Sequence, residues 1–365
     1  MASLRVGKVF GIGVELHITF IILILLIALA LAFFDSNNFF PIMILLFFLF
    51  LSVFLHELTH SLVAVSKGIK VRKIVLLPIG GIAFTEEMPK NPRDEFLISV
   101  AGPLFNFLVV LAIILVVFFV PFFFPPSFPF TQEALEQAVL SYPLFALMYV
   151  NLILGAFNLF LPALPLDGGR VLRSLLSMII PPSKATSFVS KTSMIIAVIL
   201  FVLGLFYNIV LAIIAVFIYF GASSEGQVSA VREVLGGKSI RNLINRKPLI
   251  LEADLTVGET LEEMEKEGRT SFLVELSKRR YGFISVESFK DIPKNKWKTE
   301  KISSLTTRVP FVSVDSDAAE VMTKFMTKNF SIIPVTERGE VIGVIEEEKL
   351  VKTFKLLKLE KEASR

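Results

Sequence analysis

Long apolar runs dominate the first 222 residues of the chain. They cover Leu16–Phe34, Phe39–Val65, Phe96–Phe119, Leu144–Leu161, Phe188–Leu203 and Phe206–Phe220. A helix needs about 20 mostly apolar residues to cross the hydrocarbon core of a bilayer. The pattern therefore predicts a membrane domain over residues 1–222 with six transmembrane helices, the last two separated by a short turn near Gly204.

Charged residues are concentrated in the rest of the chain. Residues 1–222 hold 12 of the 37 Lys and Arg residues, which leaves 25 for residues 223–365. A segment with this charge density has the surface of a soluble domain. Gly221–Gly226 is rich in Gly and Ser, so we expect a linker over residues 223–238 before the soluble part, with a short helical connector from the end of that segment to about Gly237.

The soluble part contains an internal repeat with an offset of 61 residues (254 to 315) and no gap. The matching segments are Asp254–Leu261 with Asp315–Met322, Phe272–Val274 with Ile333–Val335, and Tyr281–Ile284 with Ile342–Ile345. Each copy has the pattern of strand, helix, strand, turn, strand and helix. The sequence thus predicts two α/β repeats, residues 239–298 and residues 299–365, the second including a C-terminal helix.

Composition excludes several kinds of chemistry. The chain has no Cys, so disulfides, iron–sulfur clusters, thiolate zinc sites and cysteine nucleophiles are excluded. Hydrophobic residues make up 54% of the chain and charged residues 19%. Neither half carries a strongly basic block, so we expect no nucleic-acid partner.

The Lys and Arg residues of the membrane half predict its orientation. They lie in the N-terminal segment and in the loops after the second and fourth apolar runs, whereas the loops after the first, third and fifth runs contain none. Cytoplasmic loops are enriched in Lys and Arg. We therefore expect a multi-pass cell-membrane protein whose termini and soluble module are cytoplasmic. The Pro- and Phe-rich loop at 121–130 is expected at the outer interface or packed on the protein.

The second apolar run ends in His56-Glu57-Leu58-Thr59-His60, an H-E-x-x-H pattern. Residues four apart lie on one helix face, so both imidazoles can bind one Zn²⁺ while the glutamate acts as general base. An ionisable residue at membrane depth costs about 2.5–3.5 kcal/mol when it has no partner. This cost makes a chance occurrence of the pattern in an apolar helix improbable.

A catalytic zinc usually has three protein ligands and a water molecule. Asp167 is the better candidate for the third ligand, because it follows Pro162 and Pro165 where the fourth run leaves the membrane. The prolines break the helix and the glycines after Asp167 allow tight turns, so the carboxylate can point back to the histidines. A helix-capping role for Asp167 is the alternative. His17 is a rival ligand, but an interface or packing role suits it better.

Four motifs carry a family resemblance. They are HELTH at 56–60, LPIGG at 77–81, AGPLFNF at 101–107 and LPALPLDGGR at 161–170. In this order and in these runs they resemble the site-2 protease family of intramembrane zinc metalloproteases. The resemblance implies that His56, His60 and Asp167 bind one Zn²⁺ per chain and that Glu57 activates water. It also implies cleavage of a single-span membrane protein within the lipid bilayer, near the cytoplasmic face.

The resemblance extends to further residues. Asn158 matches a family asparagine that holds the substrate backbone or the developing oxyanion, although it precedes Asp167 by nine residues, one more than the family spacing. Asn106 matches an intramembrane polar position, which suggests substrate binding, with packing as the alternative. Gly80 and Gly81 match a loop that pairs with the unwound substrate as an added strand, with a simple hairpin turn as the alternative.

The repeats resemble a tandem pair of cystathionine-beta-synthase (CBS) domains. Such pairs often bind adenosine nucleotides, using a Ser or Thr followed three residues later by an Asp. The corresponding segments here are Ser285–Ser288 and Glu346–Lys349, and neither has the Asp. Three acids at 346–348 would also repel phosphate. An adenosine nucleotide is therefore disfavoured, and a regulatory, gating or homodimer-forming module is at least as suitable.

Together these features describe a polytopic α-helical membrane protein with a cytoplasmic α/β tandem CBS module. The leading functional hypothesis is an intramembrane zinc endopeptidase regulated by the CBS pair. A CBS-gated transporter or channel is the alternative, since intramembrane acids and histidines can form an ion path. The alternative is disfavoured because these residues cluster at the cytoplasmic ends of two runs and no repeat relates the halves of the membrane domain.

Overall fold

A computed structural model describes residues 3–78, 80–85, 89, 91–119, 124–125, 129–246, 248–277, 280–327 and 330–363. These residues form two compact units, Met1–Gly226 and Gln227–Arg365. Most of the loop predicted at 121–130 lies outside the described residues.

The N-terminal unit is built mainly from helices. They are α1 Ile18–Phe34, α2 Phe39–Ser66, α3 Pro92–Phe119, α4 Gln132–Ser141, α5 Pro143–Phe160, α6 Asp167–Ser177, α7 Pro182–Tyr207 and α8 Ile209–Leu235. Five of the described helices, α2, α3, α5, α7 and α8, are long and apolar enough to cross a membrane. Helix α1 is apolar but has only 17 residues, so the sixth predicted crossing stays a prediction.

Two local predictions for the last helices are wrong. The turn between α7 and α8 lies at Asn208 rather than near Gly204, which is helical. A Cβ at Gly204 would come within 2.4 Å of the Ala212 nitrogen, so this glycine allows close helix packing instead of a turn. The segment Gly221–Gly226 is also helical, because its glycines pack against Pro165 and Ser190 rather than breaking the chain. Helix α8 continues to Leu235, through most of the predicted linker.

A four-stranded sheet was not predicted in the N-terminal unit. Its strands are β1 Ser3–Val9, β2 Ile12–His17, β3 Val71–Leu77 and β4 Gly80–Thr85, in the order β1-β2-β3-β4. Strands β2 and β3 are parallel, and β4 pairs with β3 antiparallel. Buried Ile12 and Ile74 of the sheet pack with Val53 and Leu58 of α2. The sheet is thereby fixed against the helix that carries the H-E-x-x-H pattern.

The described residues of the C-terminal unit form two sheets and three α-helices besides the end of α8, whose Val231 and Leu235 also belong to its core. The first sheet has the order β5 Ile250–Glu252, β6 Ser271–Ser277, β7 Arg280–Ser285 and β8 Thr307–Arg308. The second has the order β11 Glu340–Glu346, β10 Ile332–Glu337 and β9 Val312–Ser313. The helices are α9 Val257–Glu267, α10 Ala318–Thr327 and α11 Glu347–Ala363.

Strand pairing follows the 61-residue repeat found in the sequence. Val274 pairs with Gly282 in the first sheet, and the equivalent Val335 pairs with Gly343 in the second. The parallel partner of Val274 is Leu251, and that of Val335 is Val312, again at equivalent positions. The two repeats therefore share one α/β fold and one register.

Each repeat also lends a short segment to the other. Thr307 of the second repeat pairs with Phe283 of the first, and Asn245 of the first repeat bridges to Val344 of the second. Glycines stand at both crossing points, because a Cβ at Gly343 would come within 2.3 Å of the Asn245 carbonyl oxygen. The equivalent Gly282 would meet the Thr306 side chain at 2.5 Å.

This close approach predicts a stability effect for Gly343→Val. The added side chain must displace the Asn245 segment, so we expect the C-terminal unit to lose about 1–3 kcal/mol of stability. Urea unfolding followed through Trp297, the single tryptophan of the chain, measures this loss. Thr307→Val, a substitution at an exposed strand position, is the control and should change stability by less than about 0.5 kcal/mol. Equal midpoints for both variants would contradict the exchanged-segment arrangement.

The residues at the expected nucleotide positions have local partners. The Ser285 hydroxyl donates to Glu287, and Glu346 forms an ion pair with Arg269 while accepting a hydrogen bond from Asn245. Glu347 lies in the first turn of α11, where the helix dipole favours negative charge. These contacts give Glu346 and Glu347 structural roles, and the expectation that phosphate is disfavoured here stays a prediction.

Candidate metal centre

The two histidines of the H-E-x-x-H pattern meet on one face of α2. The Nε2 atoms of His56 and His60 lie 3.1 Å apart, and both side chains are buried. Their separation of four residues on an α-helix produces this geometry directly. The histidine arrangement expected from the sequence is therefore present.

Asp167 completes the cluster from a different part of the chain. It is the first residue of α6, and its Oδ2 atom lies 3.0 Å from His56 Nε2 and 3.1 Å from His60 Nε2. The three potential ligand atoms lie within 4.8 Å of one another. Within the described part of the chain, no second cluster of three His, Asp or Glu residues has this spacing.

A break between α5 and α6 positions Asp167. The backbone leaves helical geometry after Phe160, and the Leu164 amide donates to the Ser193 hydroxyl across 2.8 Å. The glycines after Asp167 were expected to allow turns, but both are helical. A Cβ at Gly168 would lie 2.4 Å from the Leu159 carbonyl oxygen, and one at Gly169 would lie 2.3 Å from the Leu164 nitrogen. They act by letting α6 pack closely on the broken segment.

Both imidazole rings are oriented by hydrogen bonds at Nδ1, the ring nitrogen that faces away from the cluster. His60 Nδ1 donates to the Ile98 carbonyl oxygen, and His56 Nδ1 donates to Asn106 Oδ1, each across 2.5 Å. When Nδ1 is the donor, Nε2 is left with a free electron pair, and this is the usual arrangement of metal-bound histidine. Asn106 is fully buried with its amide between His56 and Asn151, and this position favours the packing alternative over substrate binding.

The residues fit a tetrahedral zinc ion. Zinc lies about 2.0–2.1 Å from histidine nitrogens and carboxylate oxygens, so its ligand atoms are about 3.3 Å apart. The observed separations of 3.0–3.1 Å are close to this value. Gly102 of α3 faces the same point, since a Cβ there would lie 2.3 Å from His60 Nε2 and 2.7 Å from His56 Nε2. Its missing side chain leaves room in front of the ligand atoms.

Glu57 lies beside the cluster and next to the edge of the sheet. It is close enough to both histidines and Asp167 to interact with them electrostatically. A Cβ at Gly81 would come within 2.4 Å of Glu57 Cγ, so the backbone of β4 passes directly over this side chain. Gly80 precedes it with φ of 140°, a value that favours glycine. Gly80 and Gly81 thus start an edge strand rather than a simple turn.

Two candidate residues are not joined to the cluster. Asn158 Nδ2 donates to the Leu154 carbonyl oxygen across 3.0 Å, and no hydrogen bond among the described residues links it to a histidine or to Asp167. His17 caps α1, where its Nδ1 accepts from the Thr19 amide, and it is absent from the cluster. The structural role favoured for His17 agrees with this position.

Comparison with protein-family models finds a match that includes the residues of the cluster. The model of peptidase family M50 matches residues 44–200, which include all three potential ligands and Glu57. The model of the CBS domain matches residues 302–355, inside the second α/β repeat.

Individual relatives agree with the family match. A zinc metalloprotease of Methanocaldococcus jannaschii is 32% identical over 362 residues, which cover 99% of this chain and 98% of the relative. Stage IV sporulation protein FB of Bacillus subtilis is 31% identical over 147 residues, covering 40% of this chain and 45% of that protein. A solved site-2 protease from Methanocaldococcus jannaschii has 39% identity and a TM-score of 0.46, covering 61% of this chain and 95% of that structure.

Proposed function

Because the chain belongs to peptidase family M50, we propose that it cleaves the transmembrane helices of single-span membrane proteins near the cytoplasmic face. It is a zinc metalloendopeptidase of the site-2 protease type with a CBS domain in its C-terminal unit. The observation that carries the proposal is the convergence of His56, His60 and Asp167 in a multi-pass helical unit.

His56, His60 and Asp167 are the proposed ligands of one zinc ion. When bound, zinc supplies a Lewis acid that polarises the scissile carbonyl group and acidifies water. The three side chains reach one point from two helices, and the Nδ1 hydrogen bonds keep both imidazole rings aimed at it. Because Gly102 has no Cβ, the space at this point in front of both Nε2 atoms is left free for the metal.

Glu57 is the proposed general base. A carboxylate beside the metal point can take a proton from the attacking water and then pass it to the leaving amine nitrogen. Glu57 follows His56 directly in α2, so the helix directs it to a neighbouring face of the same turn. The β4 backbone over Glu57 brings a bound peptide to this carboxylate.

The edge of β4 is the proposed substrate-binding element. A peptide bond inside a helix is shielded by its own hydrogen bonds, so the substrate must unwind before it can be cut. Strand β4 is the last strand of the described sheet, and its unpaired edge can accept an extended segment by β-augmentation. Gly80 and Gly81 place this edge at the catalytic carboxylate. Asn158 is the proposed contact for the substrate backbone or oxyanion, since its NH2 group has a second N–H besides the one that donates to the Leu154 carbonyl.

The orientation and the regulation that we propose rest on the sequence. The distribution of Lys and Arg supports cytoplasmic termini and a cytoplasmic C-terminal unit. Asp167 and the histidines then lie at the cytoplasmic ends of their helices, which supports cleavage near that face. We propose that the CBS pair regulates access to the active site and can join two chains as a homodimer.

The position of the cut tests this function. The full chain, purified in detergent and reconstituted with a single-span substrate, should contain about one zinc ion per chain. Mass spectrometry should find the new termini inside the apolar segment, on its cytoplasmic half. The same substrate with its apolar segment replaced by a soluble helix serves as control and should remain intact. Cuts confined to the soluble tails would overturn the proposal.

A further inference from the structure

A continuous chain of buried hydrogen bonds leads from His56 to another helix. His56 Nδ1 contacts Asn106 Oδ1 on α3, Asn106 Nδ2 donates to Asn151 Oδ1 on α5 across 2.8 Å, and Asn151 Nδ2 donates to the Ser52 hydroxyl on α2 across 2.9 Å. None of these four residues is more than 3% exposed. Buried polar groups in apolar helices are costly unless every one is satisfied, so their linkage into one chain is informative.

The Leu147 carbonyl fixes the orientation of both side-chain amides in this series of hydrogen bonds, those of Asn151 and Asn106. Asn151 Nδ2 also donates to the Leu147 carbonyl oxygen across 2.9 Å, and a carbonyl can only accept. The nitrogen of Asn151 must therefore face Leu147, so its oxygen faces Asn106. Asn106 must in turn present its nitrogen to Asn151 and its oxygen to His56. His56 Nδ1 then has to carry the proton, which leaves the electron pair on Nε2.

We propose that Asn151 is a positioning residue for the zinc site, acting through Asn106 to hold His56 in the tautomer that binds metal through Nε2. Asn151 touches neither Asp167 nor His60 in the described hydrogen bonds, and its side chain is too deeply buried to meet substrate. Partners one step removed from metal ligands set the tautomer and the ring orientation. Here two residues, Asn106 and Asn151, connect the His56 ring to the main chain of α5 at Leu147.

This inference rests on the proposed zinc site, and the affinity for zinc tests it directly. Purified wild-type chain and Asn151→Leu are titrated with Zn²⁺ in detergent against a chromogenic chelator at one pH. The leucine fills a similar volume but leaves Asn106 free to rotate, so we expect zinc binding to weaken about 10–100-fold. Co²⁺-loaded samples should show a changed visible absorption spectrum, because the ligand geometry relaxes.

A matched control separates positioning from helix packing. Ser190 makes another buried interhelical hydrogen bond in the same unit, from its hydroxyl to the Ala222 carbonyl oxygen across 2.5 Å, with no link to His56. Ser190→Ala should lower thermal stability while zinc affinity and the Co²⁺ spectrum stay as in the wild type. If Ser190→Ala weakens zinc binding as much as Asn151→Leu, the effect is general loosening and the proposal fails.

A suppressor variant gives a second readout. Asn106→Asp presents an oxygen to His56 in either orientation and no longer depends on Asn151. The double variant Asn106→Asp with Asn151→Leu should therefore recover most of the zinc affinity that Asn151→Leu alone loses. Purely structural damage at position 151 would not be repaired by this change.

The possible results distinguish the proposed role of Asn151 from the proposed zinc site on which it rests. Wild-type chain without zinc affinity would overturn the proposed metal site itself. Wild-type zinc binding that is unchanged in Asn151→Leu would overturn only the role of Asn151. If Asn151→Leu does not fold, Asn151→Ser keeps a hydroxyl for the Leu147 carbonyl but shortens the reach to Asn106. It should then weaken zinc binding measurably, and unchanged affinity in this variant would equally reject the proposal.

Discussion

Glu57→Gln should reduce the rate of substrate cleavage roughly 10³-fold while zinc remains bound as in the wild type. Glutamine keeps the shape of the side chain and its fit under the β4 backbone at Gly81. It cannot accept a proton from water, so the general-base step is lost. The proposed zinc ligands His56, His60 and Asp167 do not include Glu57, so the metal should be retained.

The measurement needs rate and metal content from the same preparation. Single-turnover cleavage of a reconstituted single-span substrate gives the rate, and elemental analysis gives zinc per chain. Glu15→Gln is the matched control, because Glu15 pairs with Lys73 on the same sheet but is not part of the cluster. We expect its rate to stay within about twofold of the wild type. Loss of zinc in Glu57→Gln would instead identify Glu57 as a ligand.

Local patterns in the sequence were sufficient for much of this site. The six apolar runs all correspond to helices, because hydrophobic length alone predicts such elements. The two histidines are neighbours through helix periodicity, which is a local property. Asp167 could be selected because prolines mark the helix break, although the actual contact depends on α6 packing against the broken segment.

Features that depend on long-range packing could not be predicted from the sequence. The sheet pairs β2 with β3, strands separated by two helices in the chain, and no local pattern encodes that partnership. For Asn106 the sequence leaves substrate binding and packing both open, because a polar residue in an apolar run suits either role. The roles of Gly102 and Asn151 likewise arise only when three helices meet. Gly221 and Gly226 suggest a linker by residue type, yet in the fold they allow close packing against Pro165 and Ser190.

Gly102→Ala should abolish stable zinc binding even though all three proposed ligands remain. The single added carbon would lie 2.3 Å from His60 Nε2 and 2.7 Å from His56 Nε2, within the space that the metal needs. The rings cannot easily turn away, because the Ile98 carbonyl and Asn106 hold their Nδ1 atoms. Loss of a partner behind a ligand costs about 10–100-fold in affinity, so blocking the ligand atoms themselves should cost more than about a hundredfold.

Gly204→Ala is a closely matched control for this variant. It makes the same substitution in a helix of the same unit, with a similar overlap of 2.4 Å against the Ala212 nitrogen, but far from the ligands in sequence. Both variants should lose about 1–3 kcal/mol of stability through overpacking. Only Gly102→Ala should lose zinc and, with it, cleavage. Wild-type zinc affinity in Gly102→Ala would mean that the metal is not held between the two Nε2 atoms, because an ion and a methyl group cannot share that space.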